Sequence, residues 1–418
     1  MRLTPVPCEV EIHAHAGVGG TVMLGLLADL QDALRRRYAG QAQTVYLDPP
    51  FHTGKDYVLR QRCGEKGWRT GKPVLTLPAY TDRWPDDEAF LSMLHGAIAL
   101  AHDLLSDDGS IFLHIDARTH ARLRLIMDEI FGAHNFVNEI IWAYQTGGRS
   151  AAHFSRKHDI ILFYRKTPSA YFNIEAVGMP RGHVRKNHMR RGVDAEGRAY
   201  SSIVSLGKEY RYYDDDLVCP GDVWDDVSHL QQKDPQRTGY DNQKPLKLLE
   251  RVVLSTSRPG DLVCDLFAGS GTTAVAAMTH GRRFLAVDSA AEAIAVTRKR
   301  LLGSALRVEG PCSPGSPALA AEMERGLGLG KIHLRQYALE KGLDGVELSG
   351  VEAVEQISAG YLRGNAFYAY ASAARSKAAP ALPDSLEIPV LEGQPALLTV
   401  DVLGRRMVHA LMEDEDDQ

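Results

Sequence analysis

Apolar and polar positions along the chain change period repeatedly, and each change marks an element. Residues 44–47 (Thr-Val-Tyr-Leu), 261–264 (Asp-Leu-Val-Cys) and 283–287 (Arg-Phe-Leu-Ala-Val) are short apolar runs, as in strands buried on both faces. Between 88 and 105, Phe90, Leu94, Ile98, Ala101 and Leu105 fall at helical spacing. Asp108-Gly109 then turns the chain into a strand at 110–115. Residues 118–131 predict a second amphipathic helix with Leu123, Ile126 and Ile130 inward, and 272–280 predicts another. Runs 136–144 and 159–165 read as strands, an antiparallel pair at a sheet edge. Pro245 suits a first helical position, and Leu248, Leu249, Val252 and Val253 form an apolar stripe behind it. Alternating strands and helices imply an α/β fold, doubly wound, with helices on both faces of a mainly parallel sheet.

Composition narrows the class without naming a function. A chain of 418 residues suggests two or three domains. No stretch approaches 18 uninterrupted apolar residues, so no membrane span is expected, and the first residues lack a charged-then-apolar leader. Five scattered cysteines (Cys8, Cys63, Cys219, Cys264, Cys312) include no Cys-x-x-Cys pair, which points to free thiols in a reducing cytoplasm. Cys8, His13 and His15 lack a fourth ligand, and no metal is expected there. The Pro/Gly/Ser-rich stretch 310–317 marks a boundary. Beyond it, strand candidates near 331–334, 367–370 and 397–402 suggest a C-terminal α+β domain that carries no motif, and 413–418 is an acidic tail.

Two motifs carry chemistry, and both follow predicted strands. Asp48-Pro49-Pro50-Phe51 closes the run 44–47. Prolines fix φ and bias the preceding residue to extended backbone, so acceptors here are aimed before a ligand arrives. The Asp48 carboxylate and the Pro49 carbonyl could each accept one N–H of an exocyclic amine, freeing its lone pair for attack, with Phe51 stacked on the base. Preset acceptors of this sort stabilise developing positive charge. An ordinary Pro-Pro loop is the plain alternative. Asp265-Leu266-Phe267-Ala268-Gly269-Ser270-Gly271-Thr272 is a glycine-rich turn between strand and helix, and Asp288 closes the next strand where an acid can grip ribose hydroxyls. No Lys-Ser or Lys-Thr follows the glycines, which excludes a P-loop.

In this order the segments resemble the amino-methyltransferases that act on DNA, in the permuted group usually called the β class. Asp48, Pro49, Pro50 and Phe51 match the family's catalytic tetrad. Asp265, Phe267, Gly269, Ser270, Gly271 and Thr272 match its cofactor turn, and Asp288 its ribose acid. Asn242-Gln243-Lys244-Pro245 resembles the segment that helps hold the methionine end of the cofactor, with Gln243 and Lys244 as candidate contacts. Residues 52–55, including Lys55, resemble the family's mobile loop. The resemblance implies S-adenosylmethionine as cofactor, a methyltransferase Rossmann-like fold and transfer to adenine N6, because aspartate heads the tetrad. Cytosine N4, or a non-catalytic DNA-binding or assembly module, stays as the alternative. One departure is plain: Leu24-Gly25-Leu26-Leu27 stands where members usually carry a Gly-Asp pair.

The net charge of −5 is the acidic tail's own, and the remainder balances. Between 145 and 200, 11 Lys/Arg stand against 4 Asp/Glu, with Phe154, Tyr171 and Phe172 interleaved. Phosphate contacts need such a stretch, and a solvated charged face would look the same. Candidate DNA contacts are Lys55, Arg149, Arg156, Lys157, Arg185, Lys186, Arg190 and Arg191. The expected organisation follows. Residues 1–145 form the catalytic half, 146–240 a target-recognition insertion with a core edge strand near 159–165, and 241–302 the cofactor half. Residues 303–317 are a linker and 318–412 an accessory domain. Double-stranded DNA is the expected partner, with a homodimer mate or a restriction or specificity partner held through the C-terminal domain of a prokaryotic or phage-encoded protein.

Overall fold

The computed structural model describes the chain except residues 1, 16, 18, 145–150, 183–188, 314–317, 327, 339–347, 349 and 413–418. Six parallel strands make the centre of its largest sheet, in the order Leu306–Glu309, Gly20–Leu24, Arg283–Asp288, Leu262–Asp265, Ala42–Leu47, Leu105–Ile115. His158–Arg165 joins this row antiparallel, followed by Phe136–Ala143 and a short Val223–Trp224. The antiparallel pair is therefore at the core's edge, as its sequence suggests, with two residues capping it.

Side chains alternate between two apolar layers, which is what double winding requires. Val45, Leu47, Ile111, Leu113, Cys264, Leu285 and Val287 pack on one side with Phe90, Leu94 and Ile98 of the helix Asp87–Leu104. Tyr46, Phe112, Val263, Phe284 and Ala286 pack on the other with Leu248, Leu249, Val252 and Val253 of the helix Leu246–Thr256. Strands buried on both faces have no polar side to display, so they read as unbroken apolar runs.

Beyond the core the boundaries differ from those expected. Leu306–Glu309, placed in a linker by its neighbours' composition, is a strand paired with both Gly20–Leu24 and Val10–His13. Val10–His13 in turn pairs parallel with Ala366–Ala374, so the sheet continues into the C-terminal region as one 15-stranded sheet. Arg2–Val6 pairs with Arg406–Met412, so the strands Arg2–Val6 and Val10–His13 join that body rather than the catalytic half alone. Among its described residues the C-terminal region is strands and one 3-10 turn, so its expected helical part is absent there. A buried polar knot joins the two bodies. Arg298, on the helix Ala291–Leu301, bonds Glu11 at 2.8 Å, Gln356 at 2.6 Å and Ser358 at 2.7 Å. Among the described residues no helix is long and apolar enough to cross a membrane.

Candidate active site

Asp48 and Asp265 end neighbouring parallel strands, with Asp265 in register with Tyr46. Both loops therefore open at the carboxyl edge of the sheet, where α/β sheets bind ligands. They wall a cleft of about 640 Å³ together with Gly25 to Ala28, Tyr80, Trp84, Tyr240, Lys244 and Asp288.

The glycine turn is held from below and behind. Asp265 accepts the Phe267 N–H at 3.0 Å and the Thr273 hydroxyl at 2.5 Å, and burial raises its carboxyl to about 7. Asp288 accepts the N–H of Gly269 at 2.8 Å and of Ala290 at 2.9 Å, and burial raises it as well. Arg300 donates to the Ser270 carbonyl at 2.7 Å and to Thr272 Oγ1 at 3.0 Å, its guanidinium lowered to about 10 by burial. Gly271 has φ +73°, and a Cβ there would sit 2.5 Å from Thr297 Oγ1, so only glycine fits. Gly25, in the segment where an acidic side chain is missing, donates its N–H to the Asp288 carbonyl at 2.9 Å, and Gly25 to Ala28 line this end of the cleft.

The tetrad is finished differently. Lys244 Nζ meets Asp48 Oδ2 at 2.5 Å, while Oδ1, also buried, has no hydrogen-bond partner among the described residues. Lys244 thus faces the tetrad's acid, not only the cofactor end as expected, and it lies 5.3 Å over the Phe51 ring. Gln243 is tied into its own loop, accepting from Thr238 N–H and hydroxyl at 2.8 Å and donating to the Gln236 carbonyl at 2.7 Å. Pro50 lines the cleft; Phe51 lies beside it, its ring 5.8 Å from His114, which bonds Tyr46 at 2.6 Å and Asp159 at 3.2 Å. Residues 52–55 are latched rather than loose. The buried Asp82 accepts the backbone N–H of Phe51, His52 and Thr53, and its own backbone bonds Gly54 and Lys55.

Several of these residues carry no sequence motif. Asp82 and Arg300 look like ordinary surface charges, and His114 and Tyr240 like core residues, until the fold sets Tyr240 in the cleft wall and the other three behind the loops that form it. Asp82 did leave one trace, since it ends the alternating run Val74–Thr81 as Asp48 ends its own strand.

The basic candidates separate. Lys55 follows the tetrad, and the segment bearing Arg156 and Lys157 springs from the same edge, because Ala143 pairs with His158 and Ile115 with Ile160. Arg190 and Arg191 stand on a separate three-stranded sheet, where Arg191 pairs with Asp214, as Arg198 does with Asp215 at 2.7 Å. The local excess of positive charge is thus partly cancelled by acids later in the chain. Arg149, Arg185 and Lys186 lie outside the described residues. No cluster of three metal-ligating side chains occurs among the described residues; His13 pairs with Glu11, and Cys8 donates to the Val10 carbonyl.

A doubly wound sheet with an acid-headed Pro-Pro loop beside a glycine turn at its carboxyl edge is an arrangement suited to a nucleoside-type ligand. The DNA methylase family model, covering N6 and N4 methyltransferases, matches residues 42–299, and the chain belongs to that family. The type II methyltransferase M.BglII of Bacillus subtilis is 30% identical over 245 residues, 55% of this chain and 63% of that protein. The chain therefore spans just under two thirds of that relative. The DNA adenine methyltransferase YhdJ of Escherichia coli K12 is 25% identical over 270 residues, 64% of this chain and 79% of that one. Among solved structures, the cytosine-N4-specific PvuII DNA methyltransferase aligns with a TM-score of 0.45 at 15% identity, covering 69% of this chain and 88% of that one, too slight a likeness to bear on substrate.

S-adenosylmethionine is the family's methyl donor, and the residues present fit it. Five acids (Asp48, Asp241, Asp265, Asp288, Glu292) line the cleft against one base, Lys244, which suits a sulfonium cation.

Proposed function

We propose that the protein transfers a methyl group to the N6 amine of an adenine turned out of double-stranded DNA at a specific sequence. The observation that carries this reading is the bare, buried Oδ1 of Asp48, a residue of the cleft wall. A buried acceptor without a donor costs free energy, and a substrate N–H arriving there removes that cost. When bound, S-adenosylmethionine supplies an electrophilic methyl group on sulfur.

This chain's own residues do the rest. Asp265 and Asp288 hold the glycine turn, and Arg300 fixes it from behind. Asp48, with Oδ2 bonded by Lys244, would accept an amine N–H on Oδ1, leaving the nitrogen lone pair free and stabilising the positive charge that develops on that nitrogen. His114, itself bonded to Tyr46, stands beside the Phe51 ring, which would serve as the stacking face. Reaching these groups requires the base to leave the duplex. Lys55, Arg156 and Lys157 stand at the same edge to meet phosphate. Aspartate at the head of the tetrad and the adenine named in YhdJ support adenine over cytosine. Type III Mod subunits among the relatives support a restriction partner, met through the C-terminal strands, in a cytoplasmic setting.

The test is product analysis. Unmethylated duplex DNA is incubated with labelled cofactor, digested to nucleosides and weighed. N6-methyladenine is expected; 4-methylcytosine alone overturns the adenine assignment, and no labelled nucleoside overturns the activity.

A further inference from the structure

The geometry points to Asp82 as the residue that positions the end of the catalytic tetrad, an assignment that rests on the reading just proposed. Asp82 ends one arm of an antiparallel ribbon, Asp56–Arg62 with Val74–Thr81, and is 1% exposed. Its carboxylate gathers Phe51 N–H at 3.2 Å, His52 N–H at 2.9 Å, Thr53 N–H at 2.8 Å and the Thr53 hydroxyl at 2.7 Å, and the Trp84 indole adds 3.2 Å. Three successive backbone N–H groups converging on one anion form a nest, normally used to seize a ligand. Here the ligand is the protein's own side chain.

These donors are neutral, and no side-chain cation is hydrogen-bonded to the Asp82 carboxylate among the described residues. The carboxylate is therefore held chiefly by oriented dipoles, with the Arg118 guanidinium adding a Coulombic pull from beyond ion-pair distance. His52 is bent to φ +59°, a left-handed value that a non-glycine residue keeps only when its surroundings impose it. Two further bonds close the latch: Gly54 N–H to the Asp82 carbonyl at 3.0 Å, and Asp82 N–H to the Lys55 carbonyl at 2.8 Å. Cutting the latch frees Phe51 and, through the rigid prolines, the aim of Asp48. It leaves the glycine turn on its separate strand untouched. Asp82 thus acts on the substrate half of the site without touching the substrate.

The experiment measures methyl transfer to unmethylated genomic DNA from tritiated S-adenosylmethionine, with cofactor binding followed by calorimetry. For Asp82→Ala the rate at saturating DNA is expected to fall about 100-fold, the scale of a misplacement near 1 Å. The cofactor dissociation constant and the half-saturating DNA concentration should stay within about threefold. Asp82→Asn, which keeps one acceptor oxygen but turns an amide N–H toward the donors, is expected to lose about tenfold. A rate for Asp82→Ala within about threefold of wild type overturns the assignment, as does an equal loss of cofactor binding. If Asp82→Ala does not fold, Asp82→Asn decides: wild-type turnover overturns the role, and a slowed rate with unchanged cofactor affinity upholds it. Wild-type protein that methylates no DNA defeats the proposed function first, and this inference falls with it.

Discussion

The strands that end at Asp48 and Asp265 lie side by side, yet their loops are finished in opposite ways. Every carboxylate oxygen of Asp265 and Asp288 has a donor inside the protein, and the turn between them is complete before anything binds. Asp48 has one oxygen engaged by Lys244 and one bare. The first loop is a shape, the second an unmet demand. On the proposed function, a cofactor that returns each cycle is served by a preformed cradle, and a base drawn from a duplex by a group that gains most when it arrives.

That contrast can be broken in four ways. The largest effect is expected from Asp48→Ala, which should lower methyl transfer by about 1000-fold or more, the scale seen when a preorganised charge partner is lost. Cofactor affinity should change little; a matching loss in calorimetry would show that Asp48 belongs to the cradle instead. Next comes Gly271→Ala. The added carbon meets Thr297 at 2.5 Å with φ at +73°, so cofactor affinity should drop about 10- to 100-fold and thermal stability by about 1–3 kcal/mol. An unshifted melting curve would mean that the turn yields easily.

The third effect is pH-dependent. Asp265 is raised from 3.8 to about 7 by burial, so its folded form binds the proton more tightly than the unfolded chain does. Its contribution to stability is complete below 3.8 and is lost as pH rises through about 7. A bound sulfonium favours the ionised carboxylate, so cofactor affinity should climb over the same rise, by about tenfold between pH 6 and 8. Titration calorimetry of Asp265→Asn should give a flat profile. A flat profile in the wild type would defeat the idea. The smallest effect separates the basic candidates. Arg156→Ala should weaken duplex binding a few-fold and lower the salt slope by about 1, while Arg191→Ala, already paired with Asp214, should do neither. Equal effects in anisotropy titrations would place both surfaces on DNA.

Legibility followed the same division. The parallel core was readable because strands buried on both faces cannot hide their apolar runs, and the helix at 272–280 matches Thr272–Thr279. Asp48, Asp265 and Asp288 were readable because each ends such a run. Asp82 and Arg300 were not, because their meaning depends on partners 30 residues away or facing them across the turn. The strand Leu306–Glu309 was masked by the glycine- and proline-rich residues after it, and only its pairing on two sides reveals it. Charge counting misled for the basic stretch because ion pairs ignore sequence windows; Arg191 and Asp214 are neighbours only after the sheet forms.

The knot around Arg298 has a consequence for anyone who would trim this molecule. One helix carries Arg298 on the face toward the C-terminal strands and Thr297 and Arg300 on the face that backs the glycine turn. Deleting the distal strands would strip Gln356 and Ser358 from a buried guanidinium and unseat that helix. The glycine turn would then slacken at a point remote from the cut, so on the proposed function a minimal fragment ending near residue 302 should prove a poor catalyst.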